Sequence, residues 1–445
     1  MDLKELSDAY MRGDFNSSSD EENEGQRIVV GMMNEIHQSQ TRNPRKHGGT
    51  SSSRRYLPKD HEAGHRQLML DYFDPGCLYP PEKFRRRFGM RRSLFDRILE
   101  EVTNANNYFQ QRADCRGQLG FSPHQKVTAA MRMLAYGNAA DALDEYLRMG
   151  DSTARECLKK FCDTVVHIYE AEFLRKPTQE DIDRLLRKGE SRGFPGMLGS
   201  LDCMHWEWKN CPSGWQGQFV GHYHRPTIVL EAVASYDTWI WHAFFGMPGS
   251  HNDISVLDCS HLFDELAEGH GPTVNYFLNQ KPHTIGYYLT DGIYPAWGTI
   301  VKSISQPQTR KLKYFATKQE KYRKDVERAF GVLQARFAII KGPARTWQLD
   351  FLGKIMKTCI ILHNMIVEDE RPSEEVSLCD VPENSTRRNE EDEYESLPDA
   401  EDVHRLPADL DVFLARYTQL RSSRRHDELK QDLIDHLWNL RGGRP

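Results

Sequence analysis

Long hydrophobic runs are missing from this 445-residue chain: the longest, such as Phe337 to Ile340 or Cys359 to Leu362, are far too short for a bilayer span. That excludes an integral helical membrane protein. The opening Met1-Asp2-Leu3-Lys4-Glu5-Leu6 lacks the apolar stretch of a signal peptide. Cysteine is scarce and unpaired in pattern, nine residues with no CxxC, which argues against a disulfide framework and for a reducing compartment, cytosol or nucleus. Apolar residues (38%) and charged residues (28%) stand near globular proportions, so the chain is neither collagen-like nor wholly disordered. A mean hydropathy of −0.69 fits a soluble protein. At this length two or three units plus linkers are expected.

The net charge of −6 is uneven. Residues 368–402 hold 15 Asp or Glu against Arg371, Arg387 and Arg388, a local −12 that leaves the rest of the chain at +6. A mildly basic body with an acidic insert tolerates a polyanionic partner without demanding one. Residues 1–65 read as a disordered arm: 16–24 are acidic and small, 41–55 are basic and Gly/Ser-rich, and neither buries enough apolar surface to offset its ordering entropy. The basic stretch is a candidate nuclear import signal or DNA-contacting arm, or simply a solvated tail; residues 28–33 are a candidate docking helix.

Residues 66–193 read as helical. Phe84, Phe88, Phe95, Ile98, Leu99 and Val102 recur at helical spacing beside a cationic cluster that includes Arg85, Arg86 and Arg87. Ser122-Pro123 starts a helix in N-cap and N1 fashion and Gly137-Asn138 stops it. A short helix over 139–147 follows. Asp151 or Ser152 then caps a third helix with Ala154, Leu158, Phe161, Val165 and Ile168 inward. This is the rhythm of a helix-turn-helix unit, equally that of any three-helix bundle. Thr153, Arg155, Lys159 and Lys160 would face outward, suited to phosphates or base edges.

From Gly196 the pattern turns to strands at 197–203, 227–235, 238–246 and 284–292, the middle two forming a hairpin across Tyr236-Asp237. Ser250 or Asn252 caps a helix reaching Asp264. Long helices are expected over 317–340 and 351–368. The fold class is therefore α/β, a mixed sheet flanked by helices and preceded by an all-α region, with the mixed α/β domain over 194–370. An acidic linker (371–402) leads to a helical tail (403–445). The tail carries a stripe of Leu429, Leu433, Ile434, Leu437 and Leu440, which packs on something or, less commonly, serves as an export signal or a partner-binding helix.

Asp202 ends an apolar strand, Asp291 precedes Gly292 at a strand's C-terminal edge, and Glu327 adjoins Val326 in a helix, with Gly331 one turn later. Carboxylates beside a buried sheet are costly unless paired or coordinated. Three of them converging suit hard divalent cations such as Mg²⁺ or Mn²⁺. Two ions about 3.5–4 Å apart would flank the attacking and leaving oxygens of a phosphoryl transfer. Nearby Cys203, His205, Cys211, His222 and His224 lack zinc-like spacing, and packing is the simpler account. His251-Asn252-Asp253 either supports the site or caps the next helix. Trp206, Trp208, Trp215, Tyr223, Trp239 and Trp241, with Lys209 and Arg225, are base-stacking candidates or core.

Four blocks carry a resemblance: Gly199-Ser-Leu-Asp-Cys-Met-His-Trp-Glu-Trp-Lys-Asn-Cys-Pro212, Gly249-Ser-His-Asn-Asp-Ile-Ser-Val-Leu257, Tyr288-Leu-Thr-Asp-Gly-Ile-Tyr-Pro295 and Arg323-Lys-Asp-Val-Glu-Arg-Ala-Phe-Gly-Val-Leu-Gln-Ala-Arg-Phe337. Over residues 65–370 the chain resembles the PIF/Harbinger transposases, nearest their plant Pong-like branch. The resemblance implies an RNase H-like core with a DDE triad of Asp202, Asp291 and Glu327, the last two separated by 35 residues. It also implies a helix-turn-helix before the core, and two Mg²⁺ or Mn²⁺ ions held by the triad. The implied reaction is hydrolysis at DNA element ends followed by strand transfer. A Myb-like DNA-binding partner docking on the linker or tail, a homodimer or larger oligomer, and nuclear residence, with shuttling through the leucine-rich helix, complete the expectation. The alternatives are a domesticated chromatin or transcription factor and a plain metal-dependent nuclease.

Overall fold

The computed structural model describes residues 59–263, 266–267, 274–371 and 410–442. The basic and acidic parts of the arm, the candidate helix at 28–33 and nearly all of the acidic linker lie outside the described residues. Among those described, no helix is long and apolar enough to cross a membrane, and the cysteines are free.

The chain enters as α1 (His61–Leu68), capped by Asp60, and runs through a wider turn at Met69–Phe73. Helices α2 (Pro81–Phe88) and α3 (Arg92–Ala105) bury all six apolar residues that the spacing selected. Gly89 separates them at φ +75°, a left-handed conformation open to glycine at little cost. The signals at α4 (Pro123–Tyr136) are local and hold as read. Ser122 and Gln125 close a reciprocal capping box around Pro123, and Gly137 stops the helix at φ +63°. A 3₁₀ turn (Ala140–Leu143) and α5 (Asp144–Leu147) lead to α6 (Asp151–Phe173). Here the expected cap is corrected. Gly150 is the N-cap and makes no side-chain bond, while Asp151 lies inside the first turn, where its charge favours the helix dipole. Then α7 (Gln179–Ser191) delivers the chain to the sheet.

Five strands form that sheet: β1 (Met197–Glu207), β2 (Thr227–Ala234), β3 (Ile240–Pro248), β6 (Tyr287–Thr290) and β7 (Ile300–Lys302). Their order is β3-β2-β1-β6-β7. β2 runs antiparallel to β1 and β3, whereas β6 is parallel to β1 and to β7. A separate ribbon joins β4 (Tyr276–Leu278) and β5 (Lys281–His283). A short helix, α8 (Gln216–Phe219), interrupts the path from β1 to β2. β2 is buried along its whole length because both faces are covered. Its even-numbered residues Ile228, Leu230, Ala232 and Ala234 join the main core, while Val229 and Val233 face other clusters, Val229 packing with Val256 and Val233 with Leu257 of α9 (Asp253–Cys259). Asn252 caps α9, which ends at Cys259, short of the expected Asp264.

The helix expected over 317–340 is three helices, α10 (Arg310–Arg323), α11 (Asp325–Arg336) and α12 (Ala338–Lys341). No glycine or proline breaks the first joint; distant contacts do. Asp325 is buried and ion-paired with Arg192 of the α7 end, and Ser200 of β1 donates to the Tyr322 carbonyl at 2.8 Å. Next, α13 (Leu349–Asp369) packs along α6, joined by Lys354–Asp163 and Lys357–Glu170 pairs at 2.6 Å. One apolar cluster therefore runs from Leu68 to Val367, through the helical region and one sheet face. Finally α14 (Leu410–Leu420) and α15 (Ser423–Leu440) return to the sheet. Leu429, Leu433, Ile434 and Leu437 are buried against Tyr287, Val301 and Phe315, while Leu440 stays 63% exposed. The leucine stripe is thus a core face of this chain.

Candidate active site

Strand direction does the first part of the assembly. β1 and β6 are parallel, with Ser200 opposite Leu289. Two residues beyond that pair, along neighbouring strands, stand Asp202 and Asp291. β6 ends at Thr290, so β1 continues past Asp202 with no strand beside it on that flank. Into this gap comes the α10–α11 joint. Ser200 holds it at Tyr322, and the buried Gln319 Nε2 donates to the carbonyls of Thr290 (2.7 Å) at the end of β6 and Val301 (3.1 Å) in the middle of β7. Glu327 consequently lies in the first turn of α11, where a carboxylate is favoured by the helix dipole.

The acids are close enough to feel one another. Burial pushes the Asp202 carboxyl up to about 7, reinforced by the negative charges of Asp253, Asp291 and Glu327 and opposed by the Cys203 N–H that Asp202 accepts at 2.8 Å. Asp253, the first residue of α9, is likewise raised, by burial and then by Asp291. Asp253 therefore belongs to the acidic group; in the sequence its place beside the capping Asn252 gave an equally good local account. Asp291 accepts the Ile293 N–H at 3.0 Å, fixing its turn. Behind Cys203, fully buried Glu231 leaves both carboxylate oxygens without a hydrogen bond, with His242 Nε2 at 3.3 Å.

One cation stands among these acids. Arg323, the last residue of α10, donates to Glu327 at 2.6 Å and twice to Glu320 at 2.9 Å, and its Nη1 lies 4.0 Å from Asp202 Oδ2. No motif rule singled it out; the only signal was an Arg four residues before a Glu. An all-carboxylate donor set suits Mg²⁺ or Mn²⁺ by chemistry. As the side chains stand, however, no three His, Cys, Asp or Glu residues among those described converge closely enough to hold a metal ion. That applies equally to Cys203, His205, Cys211, His222 and His224.

A cleft of about 700 Å³ extends from Asp202 and Glu327 between the free flank of β1 and α11, reaching Tyr223, Arg225 and Lys341. Gly331 faces it with open space where a side chain would stand. Tyr223 is 57% exposed and lies against the His205 ring, centroids 5.0 Å apart. The tryptophans resolve differently. Trp206, Trp208, Trp239 and Trp241 are buried, the first two donating to the Gly342 and Thr346 carbonyls at 2.8 Å, so they are core.

None of the other basic candidates lines the cleft. Arg85 pairs with Glu370, Arg87 lies over the Tyr79 ring at 4.0 Å, and Arg86 is exposed. On α6, Arg155 pairs with Asp151 at 3.0 Å, Lys159 is exposed and Lys160 half-buried.

Comparison with known proteins agrees with the region that this geometry selects. Residues 171–374 match the family model described as plant transposon protein, and residues 64–103 match one described as a domain of unknown function. The "Protein ALP1-like" of Arabidopsis thaliana is 24% identical over 320 residues, covering 68% of this chain and 76% of that protein. No solved structure matches the chain. It is thus to plant transposon proteins that residues 171–374, the stretch holding Asp202, Asp253, Asp291 and Glu327, are similar.

Proposed function

We propose that the chain is a DDE-type transposase of the PIF/Harbinger kind, cutting and joining DNA with Asp202, Asp291 and Glu327. One observation carries the reading: adjacent parallel strands bring Asp202 and Asp291 to the same end of the sheet, and the first turn of α11 presents Glu327 there. The order β3-β2-β1-β6-β7, with β2 antiparallel to its neighbours, is the arrangement expected of an RNase H-like sheet. The plant transposon protein match supports it independently.

In this reading Asp202, Asp291 and Glu327 hold Mg²⁺ or Mn²⁺, with Asp253 reinforcing the negative potential from α9. Such ions supply charge neutralisation at the phosphodiester undergoing displacement. The cleft beside β1 takes the DNA strand, with Arg225 and Lys341 to meet phosphates and Tyr223 to meet a base. The basic residues of α2 and α6, among them Arg86 and Lys159, contact flanking DNA in a helix-turn-helix manner. Sequence readout rests largely with a Myb-like partner, and the complex acts in the nucleus as a dimer or larger assembly.

Co-expression with such a partner and a marked element, scored for excision, is the test. Wild type excises, and Asp202→Ala, Asp291→Ala and Glu327→Ala each abolish excision while the protein still accumulates. Excision that survives one of these changes removes that residue from the triad. A transposase-derived chromatin protein would instead leave the element in place with the wild-type chain.

A further inference from the structure

We infer that Arg323 is a built-in competitor for the divalent cation, held between Asp202 and Glu327 and displaced when the metal enters. This rests on the reading of Asp202, Asp291 and Glu327 as metal-holding residues and adds to it a residue of opposite charge. The Arg323 side chain is only 15% exposed, and its guanidinium bonds Glu327 at 2.6 Å and lies 4.0 Å from Asp202. One positive charge thus already faces two of the three carboxylates that would hold a divalent ion. The two cannot coexist cheaply there, since like charges a few ångströms apart in a partly desolvated site repel strongly.

The fold gives the displaced side chain a partner that can leave with it. Glu320, one turn back on α10, receives Arg323 through both Nε and Nη2 at 2.9 Å. That bidentate pair belongs to α10, whereas Glu327 lies beyond the break at Lys324, on α11. Arg323 can therefore swing away together with Glu320 on their shared helix, which frees Glu327 to turn toward Asp202. The open spacing of the carboxylates is the arginine-engaged arrangement of the site.

Binding of Mn²⁺ to the full chain without DNA, followed by paramagnetic resonance of the free ion, tests this. Arg323→Gln binds Mn²⁺ more tightly than wild type by about tenfold or more, because the competitor is gone and all carboxylates remain. Arg323→Lys, which keeps the charge on a more flexible stem, stays near wild type. Asp202→Asn loses binding in either background. Circular dichroism melts confirm that each variant is folded. If Arg323→Gln binds Mn²⁺ equally or more weakly while Asp202→Asn still abolishes binding, the metal reading stands and the competitor role is overturned. If neither wild type nor Arg323→Gln binds, the metal reading falls and the inference falls with it.

Discussion

At the scale of single residues the site is a place where stability is given up. Asp202 is largely buried and faces three other acids, so its ionised form is disfavoured in the folded protein, and its carboxyl titrates near 7 instead of its ordinary value of 3.8. The folded chain therefore binds a proton there that the unfolded chain releases between those two values. Stability from this group falls as pH rises through that window, and the whole cost is present above about 7. Asp202→Asn removes the charge and keeps an oxygen for the Cys203 N–H. In chelator at pH 8 it should raise stability to urea by on the order of 1 kcal/mol, after allowance for partial solvation and for Arg323. At pH 5, inside that window, the native carboxyl is protonated while the unfolded one is largely ionised, so the gain should shrink, and it should vanish only below about 3.8. An equal effect at both values would show that Asp202 is not strained by its neighbours. Asp202, Asp291 and Glu327 drew notice because each acid stands where apolar sequence makes it awkward, but among 65 acids it was the resemblance of their sequence blocks to a known family that singled them out. Arg323 was not legible, because a surface helix is full of cations and only the three-dimensional path puts this one among acids.

At the scale of elements, what was legible is what is local. The N-cap at Ser122, the stop at Gly137 and the hairpin of β2 and β3 are written in neighbouring residues, and all three stand. The α10–α11 break at Lys324 is not, since no glycine or proline marks it and the contacts that fix it come from Arg192 and Ser200, more than a hundred residues earlier. A similar long-range device anchors α13. Asn364, fully buried, accepts from the Ile240 N–H at 2.9 Å and donates to the carbonyls of Ile240 at 2.8 Å and Phe173 at 2.7 Å. One side chain thus ties α13 to the edge strand β3 and to the end of α6. Asn364→Ala would leave three buried backbone groups unpaired and should cost about 2–4 kcal/mol in denaturant unfolding. A loss below about 1 kcal/mol would mean that water replaces the amide and that α13 is held by packing alone.

At the scale of the whole molecule, the chain closes on itself twice. The helical region shares one continuous core with the sheet, so α6, the third helix of the helix-turn-helix pattern, is committed on one face to α13 and can offer nucleic acid only its other face. The second closure is α15. Its amphipathic stripe was legible, but its occupant was not, because periodicity shows that a face is apolar and never what covers it. The cover is the far half of the sheet: Leu433 and Leu437 pack with Tyr287, Val301 and Phe315, and His426 Nδ1 meets the Ile300 carbonyl at 2.8 Å. Since β6 carries Asp291 at its end and α10 carries Arg323, α15 braces the two elements on which the site depends. Leu433→Ala should therefore cost about 2–4 kcal/mol by leaving a cavity beneath α15. The same change should lower excision at elevated temperature before it does so at lower temperature, as the brace loosens. An export signal exposed to a receptor would behave in the opposite way. Leu433→Ala would then leave urea unfolding unchanged and shift only where the protein accumulates. Comparing the two readouts on that one variant separates a helix that completes the fold from one that merely advertises it.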